Sequence, residues 1–389
     1  MTRPHVAPDS PGAVLALIRS GAAVSRSDVA RVLGISASTA AGRVQALLDH
    51  GYLREAGDGA SQGGRRPRRL ALRTDSGAVA AADLGSHHAT LALFDIGGQI
   101  LAEHQRPVRV ADGPGAVLAW VHEEVVRMAA ELAVPLRGIT VGVPGPVDAR
   151  SGRVVSPSRM PGWNGTDVRA VLAERTDLPV LVDNDANLMA LGEYCADPAD
   201  HLVFVKAGTG IGCGVIASGR LHRGAVGAAG DISHLAVHGF EEVACSCGRN
   251  GCLDAVASGA ALVRDLTAAG VPVEDTAAVV ELARDADPIT TRMLREAGRS
   301  TGEVLATIVN FFNPDVLVIG GQFSRAEAFV ASIRSALYER CLPMATEHLR
   351  INTTGTGRLA GVIGAGRLMI EHLLAPERVN AIVEQAPRG

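Results

Sequence analysis

The stretch that most limits how this chain can fold is His234 followed by Cys245, Cys247 and Cys252. The spacing His-x10-Cys-x-Cys-x4-Cys brings four soft or borderline ligands together, enough for a closed tetrahedral site. A closed site leaves no position open to water, so the metal expected here is a structural zinc rather than a catalytic one. Redox pairing of these thiols is the competing reading. Cys195, Cys213 and Cys341 are scattered, and a disulfide framework does not suit a chain that looks cytoplasmic. That localisation is expected because no apolar run approaches the ~18 residues of a membrane span. Ala13–Ile18 is also too short for a secretory core and is followed at once by Arg19. No membrane partner is expected.

At 389 residues the chain predicts two or three domains. Apolar residues at 47% and charged residues at 20% exclude a disordered or fibrous protein. Aromatics at 3% remove the stacking platforms that single-stranded nucleic acid needs.

The net charge of −4 conceals an asymmetry. Residues 1–75 hold 11 arginines against 6 carboxylates, a balance of +5, whereas the remainder holds 26 basic and 35 acidic residues. A basic head on an acidic body points to a polyanion met by the head alone.

The head has the pattern of a winged helix-turn-helix. A first helix fits Gly12–Ser20, with Val14, Leu15, Leu17 and Ile18 apolar. Ser25 stands three residues before Asp28, a capping-box-like start, and Val29, Ala30, Val32 and Leu33 follow. Gly34 permits the positive φ of a tight turn. Ile35 plugs the turn, Ser36 caps the next helix, and Ala40, Val44, Leu47 and Leu48 mark that helix to about His50. Gly51 stops it, and Tyr52-Leu53 begins a strand. Helix, glycine turn, helix is the DNA-reading unit. Ser36, Ser38, Thr39 and Arg43 near the start of the second helix are the types that meet phosphates and base edges. A glycine-rich loop, Ala56–Gly64, then leads to Arg65, Arg66, Arg68 and Arg69 and the strand Leu70–Leu72, predicting a wing whose arginines reach DNA.

From Val79 the pattern becomes apolar strands ended by glycine. Strands are expected over Ala80–Leu84, Ala89–Phe94, Ile139–Val143, Val180–Val182, His201–Val205 and Val316–Ile319. Helices are expected over Val117–Leu132, Val168–Arg175, Gly259–Ala269 and Ser300–Phe311. Alternation of the two implies an α/β body. Glycines at strand ends (Gly85, Gly142–Gly145, Gly208–Gly212, Gly320-Gly321) bring backbone amides close to phosphate or sugar. A dinucleotide fingerprint fails on spacing, since Cys213 stands where its third glycine would fall. A Walker A loop fails because Lys206 precedes the glycines.

These residues resemble the ROK family of bacterial repressors, open reading frames and sugar kinases, over nearly the whole chain. Gly230-Asp231-Ile232-Ser233-His234 and Cys245 through Asp254 are similar to the family signature in which one histidine and three cysteines hold zinc. The resemblance implies a two-lobed actin-like, ribonuclease-H-like sugar-kinase fold behind the winged head. The expected divisions are 1–75 for the head and 76–185 for the first lobe, completed by 361–389. The second lobe, with its zinc insertion, is expected over 186–360.

Val182–Asn187 resembles the family's sugar segment, which implies Asp185 as the general base of a kinase and Asn184 as a partner of a neighbouring hydroxyl. The resemblance extends the sugar site to Gly145, Asp231, His234 and Asp254, with His234 offering one ring nitrogen to zinc and the other to sugar. Asp231 and Asp254 stand where the family usually has glutamate, which implies an altered pocket. Nucleotide phosphate would lie against Asp83, Gly85, Gly208, Thr209, Gly210, Gly212, Gly320 and Gly321. The first of these loops departs from the kinase pattern, with Ser86 and His87 in place of glycine and threonine. Added Cβ atoms obstruct backbone approach to a phosphate.

The function expected is therefore a sugar-responsive, DNA-binding repressor of carbohydrate genes. Its partners would be double-stranded operator DNA and a small sugar, its assembly a homodimer or homotetramer, and release by sugar is the case the family implies. The alternatives are an ATP- and magnesium-dependent sugar kinase for a hexose or N-acetylhexosamine, and a bifunctional protein.

Overall fold

The structure is a computed structural model and describes residues 7–58 and 68–385. Ser10 opens helix α1 (Pro11–Arg19) by accepting the Ala13 amide. Helix α2 (Arg26–Leu33) starts from Ser25, whose Oγ accepts the Asp28 amide at 3.2 Å and donates to the Asp28 carboxylate at 2.8 Å. Gly34 closes α2 at φ +65°, and α3 (Ala37–Asp49) is capped by Ser36. Strands β1 (Leu53–Asp58) and β2 (Arg68–Leu72) form an antiparallel hairpin with Leu53 opposite Leu72. This is the winged helix-turn-helix expected, with Val14, Leu15, Val29, Ala40, Val44 and Leu47 fully buried. Arg65 and Arg66 of the expected wing lie outside the described residues.

The body holds two sheets built to one plan. In the first, β3 (Ala78–Leu84), β4 (His88–Asp95) and β5 (Ile100–Pro107) form an antiparallel meander. Helix α4 (Pro114–Glu131) leads to β6 (Leu136–Val143), and α5 (Val168–Ala173) to β7 (Val180–Asn184). Both strands run parallel to β3, giving the order β5-β4-β3-β6-β7. Helix α6 (Asp185–Ala196) then crosses to the second sheet. There β8 (His201–Ala207), β9 (Ile211–Ala217) and β10 (Arg220–Leu221) form the meander. After α7 (Leu253–Ala257), α8 (Gly259–Ala268), α9 (Thr276–Arg284) and α10 (Pro288–Phe312) comes β11 (Val316–Gly320). Helices α11 (Glu327–Arg340) and α12 (Pro343–Thr346) precede β12 (Arg350–Thr353), and the order is β10-β9-β8-β11-β12. The two sheets thus repeat one strand order, the two-lobed duplication expected.

Helix α10 begins at Pro288, capped by Asp287, rather than near Ser300. Gly298, just before the expected start, and Gly302 are where α11 presses in. A Cβ on Gly298 would stand 2.5 Å from the Phe329 carbonyl oxygen.

Helix α13 (Ala360–Leu373) returns to the first sheet and lies directly against α6. A Cβ on Gly364 would lie 1.9 Å from the Leu188 oxygen, and one on Gly192 2.0 Å from the Ala360 oxygen. The last helix, α14 (Pro376–Gln385), packs on α1 of the head. Gly12 N donates to Asn380 Oδ1 at 2.7 Å, and Val379 joins the core of Val14 and Leu15.

Candidate functional site

Strand β7 ends in Asp183-Asn184 and α6 begins at Asp185, so one strand-to-helix turn delivers Asn184 and Asp185 to the cleft between the sheets. Asn184 caps α6 by accepting the amides of Ala186 at 2.9 Å and Asn187 at 3.3 Å. Its Nδ2 donates to the Gly145 oxygen at 3.0 Å, tying this turn to the Pro144–Pro146 loop. Asp183 is held by the Arg223 guanidinium at 2.7 Å and by Asn187 Nδ2 at 2.9 Å. The cleft cavity, about 110 Å³, is lined by Gly145, Asn184, Asp185, Asp231, His234 and Asp254, which brings together every residue expected to hold a sugar. Gly210 and Gly212 line it as well.

Two cations that sequence reading had not assigned to the site stand in this cavity. Lys206, the only lysine of the chain, forms an ion pair with Asp185. Burial pulls the ammonium down, yet Asp185, Asp83 and Asp254 together hold its pKa above the ordinary lysine value. Arg159 pairs with Asp254, and Asp254 also accepts the Ile211 amide at 3.0 Å. The signal for Lys206 was its rarity; for Arg159, flanked by Ser158 and Met160, there was none.

The residues expected to contact nucleotide divide. Asp83 is buried at the end of β3 with one oxygen unpartnered, its pKa pushed up to about 7 by burial and then by Asp185. His88 lies against Gly85, where a Cβ would come within 2.5 Å of its ring. The Gly208 and Thr209 oxygens accept the first amides of α8, from Gly259 at 2.7 Å and Ala260 at 3.1 Å. Gly321 sits at φ +78° against the Ala207 backbone, and Gly320 against the Phe204 ring. Asp83, Gly85, Gly208, Thr209, Gly320 and Gly321 are not among the residues lining the cleft cavity.

Beside the cavity, His234, Cys245, Cys247 and Cys252 place one donor atom each within 4.8 Å of the others. His234 Nδ1 is 3.7 Å from Cys245 Sγ, and Cys247 Sγ is 3.6 Å from Cys252 Sγ. A tetrahedron with Zn–S bonds of ~2.3 Å has edges of ~3.8 Å, so the four donors fit such an ion. The Arg249 amide, foremost, lowers the Cys247 thiol to about 6, which favours the thiolate a metal takes. The loop also joins the cleft residues to one another: Asp254 N donates to the Ser233 oxygen at 2.9 Å, and Asp231 Oδ1 accepts Ser233 Oγ at 2.5 Å.

In the head, Ser36 and Ser38 are exposed and Thr39 half-buried, and Ser36 Oγ bonds to the hydroxyls of both at the start of α3. Arg43 donates to the Asp9 oxygen at 3.0 Å. Arg68 pairs with Glu55, which also holds Arg26, and Arg69 is exposed. No single helix among the described residues is long and apolar enough to cross a membrane.

The sequence profile described as the ROK family matches residues 79–372. A putative xylose repressor of Caldicellulosiruptor sp. (strain Rt8B.4) is 29% identical over 382 residues, covering 93% of this chain and 95% of its own. A solved ROK family transcriptional regulator, homologous to the E. coli MLC protein, superposes with a TM-score of 0.80 at 25% identity, over 97% of this chain and 98% of its own. The ROK hexokinase of Thermus thermophilus reaches 0.63 at 32% identity, over 76% of this chain and 99% of its own.

Proposed function

Because the chain belongs to the ROK family and carries a winged helix-turn-helix ahead of the family domain, we propose that it is a sugar-responsive transcriptional repressor. The observation that carries this reading is coverage. The solved regulator spans the head as well as the body, whereas the hexokinase is used up at 76% of this chain.

In this reading a homodimer sets two α3 helices in successive major grooves of a near-palindromic operator. Ser36, Ser38, Thr39 and Arg43 face the groove, and the wing arginines Arg65, Arg66, Arg68 and Arg69 meet phosphate. The labour divides at about residues 75, 185 and 360, with 361–389 rejoining the first lobe through α13. Sugar enters the cleft and is held around Asn184, Asp185, Asp231, His234 and Asp254, with Gly145 contributing backbone. A zinc on His234, Cys245, Cys247 and Cys252 would supply the crosslink that fixes Asp231, His234 and Asp254 relative to one another. Binding to one arrangement of the lobes in preference to the other releases the head from DNA; a coupling of ~1–3 kcal/mol, five- to 150-fold, is the usual scale. The setting is cytoplasmic.

Phosphoryl transfer is the second reading, since kinases share the body. It asks for a free general base and a phosphate clamp. Here Asp185 is engaged by Lys206, and His88 lies over Gly85, so we propose that catalysis has been lost.

The test is titration of full-length protein onto its own upstream promoter DNA. A salt slope of several units and release by one member of a panel of pentoses, hexoses and N-acetylhexosamines are expected. Flat salt dependence with no bound promoter would sink the regulator reading. A coupled ATP assay over the same panel, showing turnover that Asp185→Asn abolishes, would restore the kinase. Metal analysis of purified protein should find zinc, and its absence would discard the zinc assignment.

A further inference from the structure

Asp254 is expected to touch sugar, yet both of its oxygens are already engaged inside the protein. Oδ1 accepts the Ile211 amide at 3.0 Å, and Oδ2 takes the Arg159 guanidinium. The same Nη2 donates to Ser258 Oγ at 3.2 Å, and Ser258 is itself the fully buried cap of α8. Arg159 comes from the loop after β6 of the first sheet, while Asp254 and Ser258 belong to α7 and the start of α8, packed on the second. The guanidinium therefore spans the cleft.

The loop that presents it is set. Met160 next door is buried, Trp163 donates its indole N–H to the Val110 oxygen at 2.7 Å, and Ser156 N donates to Asn164 Oδ1 at 2.8 Å. A guanidinium offers five N–H donors in a fixed fork. With Nη2 spent on Asp254 and Ser258, Nε and Nη1 have no protein partner among the described residues. Arg159 lines the cleft cavity, with Nε on the side of Gly210. Preset donors with no protein acceptor in a polar cavity are what a hydroxyl-reading site presents.

We propose that Arg159 is a specificity-determining residue: it donates from Nε and Nη1 to one ring hydroxyl of the sugar, and Asp254 acts through it as a positioning residue. This rests on the sugar-effector reading above. It makes recognition conditional on approach of the two lobes, because the donor and its anchor come from opposite sides of the cleft.

The experiment uses full-length wild type, Arg159→Met and Arg159→Lys, each checked for zinc content and cooperative unfolding. Calorimetric affinities are measured for the panel sugar that binds wild type and for its monodeoxy analogues. Loss of one hydroxyl should weaken binding to wild type about 10- to 100-fold at the position Arg159 reads. Arg159→Met should bind the parent sugar about 10- to 100-fold more weakly, and its penalty for that one deoxy position should vanish while the others persist. Arg159→Lys, which retains the charge but not the fork, should recover only part of the loss. If every deoxy penalty persists in Arg159→Met, whatever happens to overall affinity, the guanidinium is a structural brace and the proposal falls. If no panel sugar binds wild type, the sugar reading falls and this proposal with it.

Discussion

The two sheets share one strand order, and they place opposite charges at the same point of it. Asp83 on β3 stands in register with Thr90 and Gly142; Lys206 on β8 stands in register with Gly212 and Gly320. Each is the sixth residue of the first strand of its sheet, just before the turn into the second. On the first side the turn is filled: His88 lies on Gly85, and Asp83 is buried with an oxygen unpartnered. On the second side the cation pairs with Asp185 at the start of α6. A duplicated fold that bound one polyphosphate between its halves would want both turns open. Here the exposed His88 ring lies over one turn and the other carries its own cation, the arrangement behind our proposal of a sensor built on a kinase frame.

Removing the cation should have the largest effect. Lys206→Met leaves Asp185 and Asp83 buried without a counter-charge and is expected to cost about 3–5 kcal/mol in urea unfolding. Lys206→Met with Asp185→Asn should recover much of it; a single variant as stable as wild type would mean that the pair does not matter. Next comes the opposite charge. Asp83 has a folded pKa of about 7, raised above its unfolded value by burial and then by Asp185. The native state therefore holds the proton longer, and stability falls as pH rises from about 4 to about 7 and stays lowered above that. Asp83→Asn should match wild type near pH 4 and exceed it by on the order of 2–4 kcal/mol at pH 8. Equal melting curves at pH 8 would remove this asymmetry.

Smaller effects separate the turns themselves. Gly85→Ala sets a Cβ 2.5 Å from the ring of the exposed His88, which has to swing aside, and should cost about 1 kcal/mol, relieved when His88→Ala is added. Gly210→Ala meets nothing nearer than an Asp254 oxygen at 3.3 Å and should cost less than about 1 kcal/mol. If both alanines cost the same, the two turns are equally open after all.

What the sequence disclosed followed the reach of local rules. Ser25, Gly34 and Ser36 are caps and turns whose physics lies within four residues, and the head was legible almost to the residue. The four metal-type donors, His234, Cys245, Cys247 and Cys252, were legible from their spacing. The cleft was legible where the Asn184-Asp185 turn and Asp231–His234 form continuous motifs. Arg159 was not, because its meaning comes from Asp254, far along the chain and across a cleft. Helix α10 was cut short for a related reason, since Gly298, just before Ser300, looks like a breaker until α11 is seen to need its missing side chain. Asp183, inside the segment Val182–Asn187, is fixed by Arg223, another pairing that no local pattern announces.

The contact of α14 with α1 has a consequence in time. Gly12 and Asn380 close a loop that spans nearly the whole chain, and Val14 and Leu15 share their core with Val379. A ribosome that has delivered the head has not yet made the helix that covers it. The DNA-reading unit is finished only when the body has been synthesised, so a truncated product would expose an apolar stripe on α1 and be a poor competitor for the operator.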